Sequence, residues 1–79
     1  LRPKQGSFIS RLTPRQQEVL GLMAQGYNNA GIAEKLVLGP KSVENYINAI
    51  YQELNLNQSD RIHPRVRAVL GYIKDSYSQ

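Results

Sequence analysis

Between Pro40 and Leu54 the apolar residues recur at a spacing that only a helix gathers onto one face. Val43, Ile47, Ile50 and Leu54 stand at i, i+4, i+7 and i+11, a single line along an α-helix. The opposite line carries Lys41, Asn45, Asn48 and Gln52. All four side chains donate hydrogen bonds, and the three amides also accept them. A face that only meets water is served as well by Glu, Lys or Arg, and asparagine is a poor helix former. Amides with one cation suit the base edges in the major groove of duplex DNA, where Asn and Gln pair with adenine. The plain alternative is a solvated face.

Cap and turn signals divide the remainder. Thr13 is an N-cap, Pro14 occupies the first helical position, and Gln16 completes a Thr-x-x-Gln capping box. A first helix is expected from Pro14 to Gln25, burying Val19, Leu20 and Met23 and stopping at Gly26. A second starts from an Asn28 cap and runs to about Leu36, with Ile32, Ala33 and Leu36 inward. Val37, Leu38 and Gly39 form the turn into the third helix, Pro40 to Leu54. After a polar connection over 55–63, a fourth runs from Pro64 to about Tyr77. Its Val66, Val69, Leu70 and Ile73 make one stripe at i, i+3, i+4 and i+7, which the pattern assigns to the core. Leu1 to Arg11, polar and broken by Pro3 and Gly6, reads as a linker or arm, and residues 12–79 as the domain. The fold class is therefore all-α: a four-helix bundle containing a helix-turn-helix.

Composition narrows the partners. The 79 residues suffice for one domain. Without cysteine the chain has neither a disulfide framework nor thiolate metal ligands, and it suits a reducing cytoplasm. Its apolar runs are too short to span a membrane, and no secretory signal is visible, so a cytoplasmic location is expected. The chain opens on Leu1 and its single methionine is Met23, which reads as the C-terminal part of a longer protein. Ten Lys and Arg against six Asp and Glu give a net charge of +4. Such a balance favours anionic partners, although a basic surface can simply be solvated. The third helix contributes little of this excess. Phosphate attraction has to come from its flanks, where Arg2, Lys4, Arg11 and Arg15 precede it and Arg61, Arg65 and Arg67 follow.

Several residues beside the reading line are further candidates. Lys41 and Ser42, in the first turn of the third helix, are placed to touch phosphate or a base. Glu44 flanks the line and either accepts from a cytosine amino group or stays in water. Asn29 and the backbone amides opening the second helix suit a phosphate, since a helix N-terminus favours anions. Arg61 and Arg65 are candidate phosphate contacts. Tyr46 and Tyr51 read as half-buried packing residues whose hydroxyls could reach a phosphate. On the fourth helix, Ala68 and Tyr72 lie off the apolar stripe, one turn apart. A small residue beside an aromatic one is a candidate homodimer contact, the alternative being a Tyr that covers its own domain.

The order of these signals resembles the DNA-binding domain of LuxR-type (LuxR/GerE) transcription regulators. The residues that carry the resemblance run from Leu12-Thr13-Pro14-Arg15-Gln16-Gln17-Glu18-Val19-Leu20 through Ala24-Gln25-Gly26-Tyr27-Asn28-Asn29 and Ile32-Ala33-Glu34-Lys35-Leu36. They continue with Lys41-Ser42-Val43-Glu44-Asn45-Tyr46, Ile50-Tyr51 and Leu54-Asn55-Leu56. The resemblance implies four helices with the third in the major groove, double-stranded DNA as partner, and dimer contacts through the fourth helix. It also implies an N-terminal signalling domain, of the kind response regulators carry, outside this chain; RNA polymerase is a further candidate partner, as a docking target if the domain is an interaction module. The chain departs from the family's usual pattern at Glu44, at Tyr46, at Ala30-Gly31, at Gly39-Pro40, and in a longer connection around Ser59-Asp60-Arg61-Ile62-His63.

Catalysis fits poorly. His63 is the only histidine and stands before Pro64. Ser59, Asp60 and His63 are close in sequence, but such a connection does not hold a triad. No metal-ligand spacing, phosphate loop or apolar carboxylate pair is present, so neither a metal nor a cofactor is expected. Two functions from different classes remain: sequence-specific DNA binding, or a helix-turn-helix reused as a protein-interaction module. The amide-rich face favours the first, because a protein-binding face would show Leu, Phe or Tyr.

Overall fold

Three helices of this chain end in the same way, each on a residue with a positive φ. The computed structural model describes residues 8–57 and 61–77. Expectations that fall on Arg2, Lys4, Ser59 and Asp60 lie outside these residues. A 3-10 turn, Ile9–Arg11, precedes α1 (Pro14–Ala24), α2 (Asn29–Leu36), α3 (Pro40–Glu53) and α4 (Pro64–Tyr77). The polar arm expected up to Arg11 is thus docked on the domain from Phe8 onward.

The capping box forms as the spacing predicts. The Gln16 amide N–H donates to Thr13 Oγ1 at 3.1 Å, and the Thr13 N–H donates to Gln16 Oε1 at 3.0 Å. Asn28 caps α2 by accepting from the Gly31 N–H at 2.8 Å. At the other ends, Gly26, Val37 and Asn55 each take a positive φ, of 98°, 55° and 61°. The following amide then returns to a carbonyl five residues back: Tyr27 to Leu22 at 3.1 Å, Leu38 to Ala33 at 2.8 Å, Leu56 to Tyr51 at 2.8 Å. This is the Schellman closure, which satisfies otherwise orphaned carbonyls. Gly and Asn adopt the left-handed conformation readily, whereas the β-branched Val37 does so under strain.

The core lies where the apolar line of α3 meets α1 and α2. Val19, Leu20, Ile32, Val43 and Ile50 are fully buried, and Met23, Ile47, Leu54 and Leu56 nearly so. Ala33 and Leu36 are only partly buried but pack against this cluster. Tyr46 is half-buried as expected, while Tyr51 is more deeply buried.

On α4 the expected stripe faces the wrong way. Val66 and Leu70 are 54% and 60% exposed and Ile73 is 38% exposed, whereas Ala68, expected on the surface, is fully buried. Val69 alone of that stripe packs partly on the core, and Tyr72 joins it there. Ala68 and Tyr72 are therefore removed from the dimer contact assigned to them: both are used by their own domain. The reason is the surface that α4 meets. It rests chiefly on α1, where the Tyr72 hydroxyl lies so near Gly21 that a Cβ there would stand 3.2 Å away. Arg65, Ala68, Tyr72 and Asp75 share one face at i, i+3, i+7 and i+10. The two charged members anchor it, Arg65 to Asn29 and Tyr27 and Asp75 Oδ2 to the Ile9 N–H at 2.8 Å. Small residues and these anchors select the docking face, and the larger aliphatic residues remain outside.

Candidate nucleic-acid interface

The buried line of α3 fixes which way its polar line points. With Val43, Ile47, Ile50 and Leu54 in the core, Lys41, Asn45, Asn48 and Gln52 are all exposed along the opposite side. Ser42 and Glu44 are exposed beside them. Lys41 Nζ and Glu44 Oε1 meet at 3.1 Å, one turn apart, with side chains 81% and 57% exposed. A surface pair of this kind contributes little to stability. Its effect is local: Glu44 neutralises the one cation of the line, so the face offers amides rather than net charge.

Positive charge enters from both flanks, brought by residues distant in sequence. Arg65, at the start of α4, donates from Nη1 to Asn29 Oδ1 and from Nη2 to the Tyr27 carbonyl, both at 2.8 Å. Two candidates chosen separately from the sequence thus form one unit at the N-terminus of α2. Burial pushes the Tyr51 phenol above its ordinary value, and the charge of Arg65 works against the shift. Arg61 is exposed just before α4, and His63 Nδ1 accepts from the Arg65 N–H at 3.1 Å.

On the other flank, Arg15 Nη1 pairs with Glu18 Oε1 at 2.9 Å. Glu18 first, and the Tyr46 hydroxyl after it, hold the guanidinium above its ordinary value. Between α1 and α3 a shallow recess of about 340 Å³ is lined by Gln16, Ser42, Asn45, Tyr46 and Ala49. A larger recess, about 540 Å³, runs along α1 to Lys35 and Tyr72 and contains no residue of α3. Arg15 and Gln16 were legible only as a charge and a cap. Nothing in their local sequence says that the first turn of α1 abuts the flank of α3.

Residues 10–63 match the family described as bacterial regulatory proteins, luxR family. The chain belongs to this family. Its relatives include the transcriptional regulatory protein DegU of Brevibacillus brevis, 39% identical over 66 residues, covering 84% of this chain and 25% of DegU. The oxygen regulatory protein NreC of Staphylococcus carnosus is 43% identical over 51 residues, covering 65% of this chain and 24% of NreC. The DNA-binding transcriptional activator DevR/DosR of Mycobacterium tuberculosis is 32% identical over 50 residues, covering 63% and 23%. This luxR-family domain therefore spans about a quarter of the length of these curated relatives. No solved structure matches it. The all-α helix-turn-helix fold is that of the family, and the family's role is transcription regulation rather than catalysis. Among the described residues no helix is long and apolar enough to cross a membrane.

Proposed function

We propose that this luxR-family domain binds duplex DNA in a sequence-specific manner, as the effector part of a transcription regulator, with α3 in the major groove. One observation carries the reading: the exposed line Lys41, Asn45, Asn48 and Gln52 lies opposite a fully committed core line. Ser42 and Glu44 border it, and Asn29, Arg61 and Arg65 supply backbone contacts on the α2 flank. The large exposed apolar residues stand on α4, before it, and at Val37, not on the reading line. That arrangement favours DNA over protein as the partner of this face. For the homodimer contact on DNA it supports Val66, Leu70 and Ile73, an exposed apolar stripe that a symmetric helix pair would cover. An upstream signalling domain and RNA polymerase complete the set of partners in this reading, and the domain works in the cytoplasm.

The test is binding to selected and random duplexes across a range of salt. Neutralising roughly four to six phosphates gives a slope of log K against log salt of about −4 to −5. Asn45→Ala and Asn48→Ala each weaken the best site by about 1–3 kcal/mol and random DNA little. A flat salt response, or equal losses on both duplexes, would overturn base reading by α3.

A further inference from the structure

Two tyrosines flank the buried line of α3 on opposite sides. Relative to the buried Val43, Tyr51 lies about 80° around the helix in one direction and Tyr46 about 60° in the other. Arg65, held by Asn29 and the Tyr27 carbonyl, acts on the first through its charge. On the side of the second stands the first turn of α1, with Arg15 and its neighbour Gln16. Gln16, the chain neighbour of Arg15, lines a recess with Ser42, Asn45, Tyr46 and Ala49. No carboxylate lines it. Two hydroxyls and two amides do, and all of them donate. Gln16 spends only its carbonyl oxygen on the Thr13 cap.

The geometry of a duplex gives this flank an occupant. A major groove about 12 Å wide accepts a helix about 10–12 Å across, so each flank of the inserted helix faces one phosphate backbone. The Asn29 and Arg65 unit meets one backbone. Taking α3 in the major groove as above, we propose that Arg15, with Tyr46, Gln16 and Ser42, seats a phosphate of the opposite strand. Arginine has five N–H donors in a fork, so it can serve a phosphate without leaving Glu18. Glu18 nonetheless opposes the incoming charge and limits how tightly the seat holds. The reading line alone would let α3 rock about its axis, and a second backbone contact fixes its register, which is the role phosphate contacts play.

The experiment compares the parent domain with Arg15→Ala, Arg15→Lys, Glu18→Gln and Asn29→Ala, each checked for an unchanged cooperative melt. Arg15→Ala should weaken selected and random duplexes alike, by about tenfold, and lower the salt slope by about 1. Arg15→Lys keeps the charge and should restore the slope, and Glu18→Gln should tighten both duplexes several-fold. Single neutral methylphosphonates placed along each strand locate the contact. One position should weaken the parent but not Arg15→Ala, on the strand opposite the position that falls silent in Asn29→Ala. If the parent binds with a salt slope that Arg15→Ala leaves unchanged, or the methylphosphonate profiles of the two coincide, the seat is overturned alone. A parent that binds no duplex at low salt overturns the DNA reading and the seat together.

Discussion

The Phe8 ring occupies the space beside Gly71: a Cβ at position 71 would lie 2.4 Å from two of its carbons. The ring is thereby clamped on α4, and the Ile9 N–H bond to Asp75 Oδ2 holds the same segment one turn further along. Gly71→Ala should therefore destabilise the domain by about 1–3 kcal/mol through overpacking. In a Phe8→Ala background the sign should reverse, because an alanine in an open helix position is better than glycine by roughly 1 kcal/mol. Urea unfolding of the four-member cycle checks this. Additive effects would mean that the two residues do not meet.

Val37 should be replaceable with profit. It holds a φ of 55° at the α2 terminus while 89% exposed, so its side chain buries nothing that would repay the strain. Val37→Gly or Val37→Asn should stabilise by about 1 kcal/mol, a rise in Tm of roughly 4–8 °C for a domain this size. An unchanged or lower melting temperature would show that the exposed valine makes a contact of its own.

The two sides of α4 should respond oppositely. Ala68 has no exposed surface, so Ala68→Glu buries an unpaired charge and should abolish cooperative folding. Leu70→Lys changes a residue 60% exposed and should move stability by no more than about 0.5 kcal/mol. On DNA carrying two inverted half-sites, Leu70→Lys should remove cooperative filling and spare single half-site binding. Band-shift titrations on paired and single sites distinguish these outcomes. Retained cooperativity would exclude the exposed stripe as the dimer contact.

Asn29→Asp should separate stability from binding. It turns the 2.8 Å bond to Arg65 into an ion pair and adds a carboxylate to the first turn of α2, where the helix dipole favours it. Melting should rise slightly, by about 0.3–1 kcal/mol of stability. DNA affinity should fall, and the salt slope should shrink, since the carboxylate faces the same phosphate that Arg65 and Asn29 would meet. A parallel gain in both quantities would remove this unit from the interface.

Much of this domain was legible without coordinates because its signals are local. The Thr13 and Asn28 caps, Pro14 and Pro40 at helix starts and the Gly26 stop act within one turn, so the helix boundaries follow from neighbours in sequence. The core line of α3 was legible for a related reason: every residue opposite Val43, Ile47, Ile50 and Leu54 is polar, so only one face can be buried. Helix α4 lacks that asymmetry. Its aliphatic stripe and the Ala68 and Tyr72 face are both apolar enough to bury, and periodicity measures apolarity, not fit. The choice was made by Gly21, whose missing side chain admits Tyr72, by Phe8 against Gly71, and by the bonds from Arg65 and Asp75 to residues dozens of positions away. Close approach and long-range hydrogen bonds exist only once the helices are docked. They alone decide which face of α4 stays free and which arginines border the reading helix.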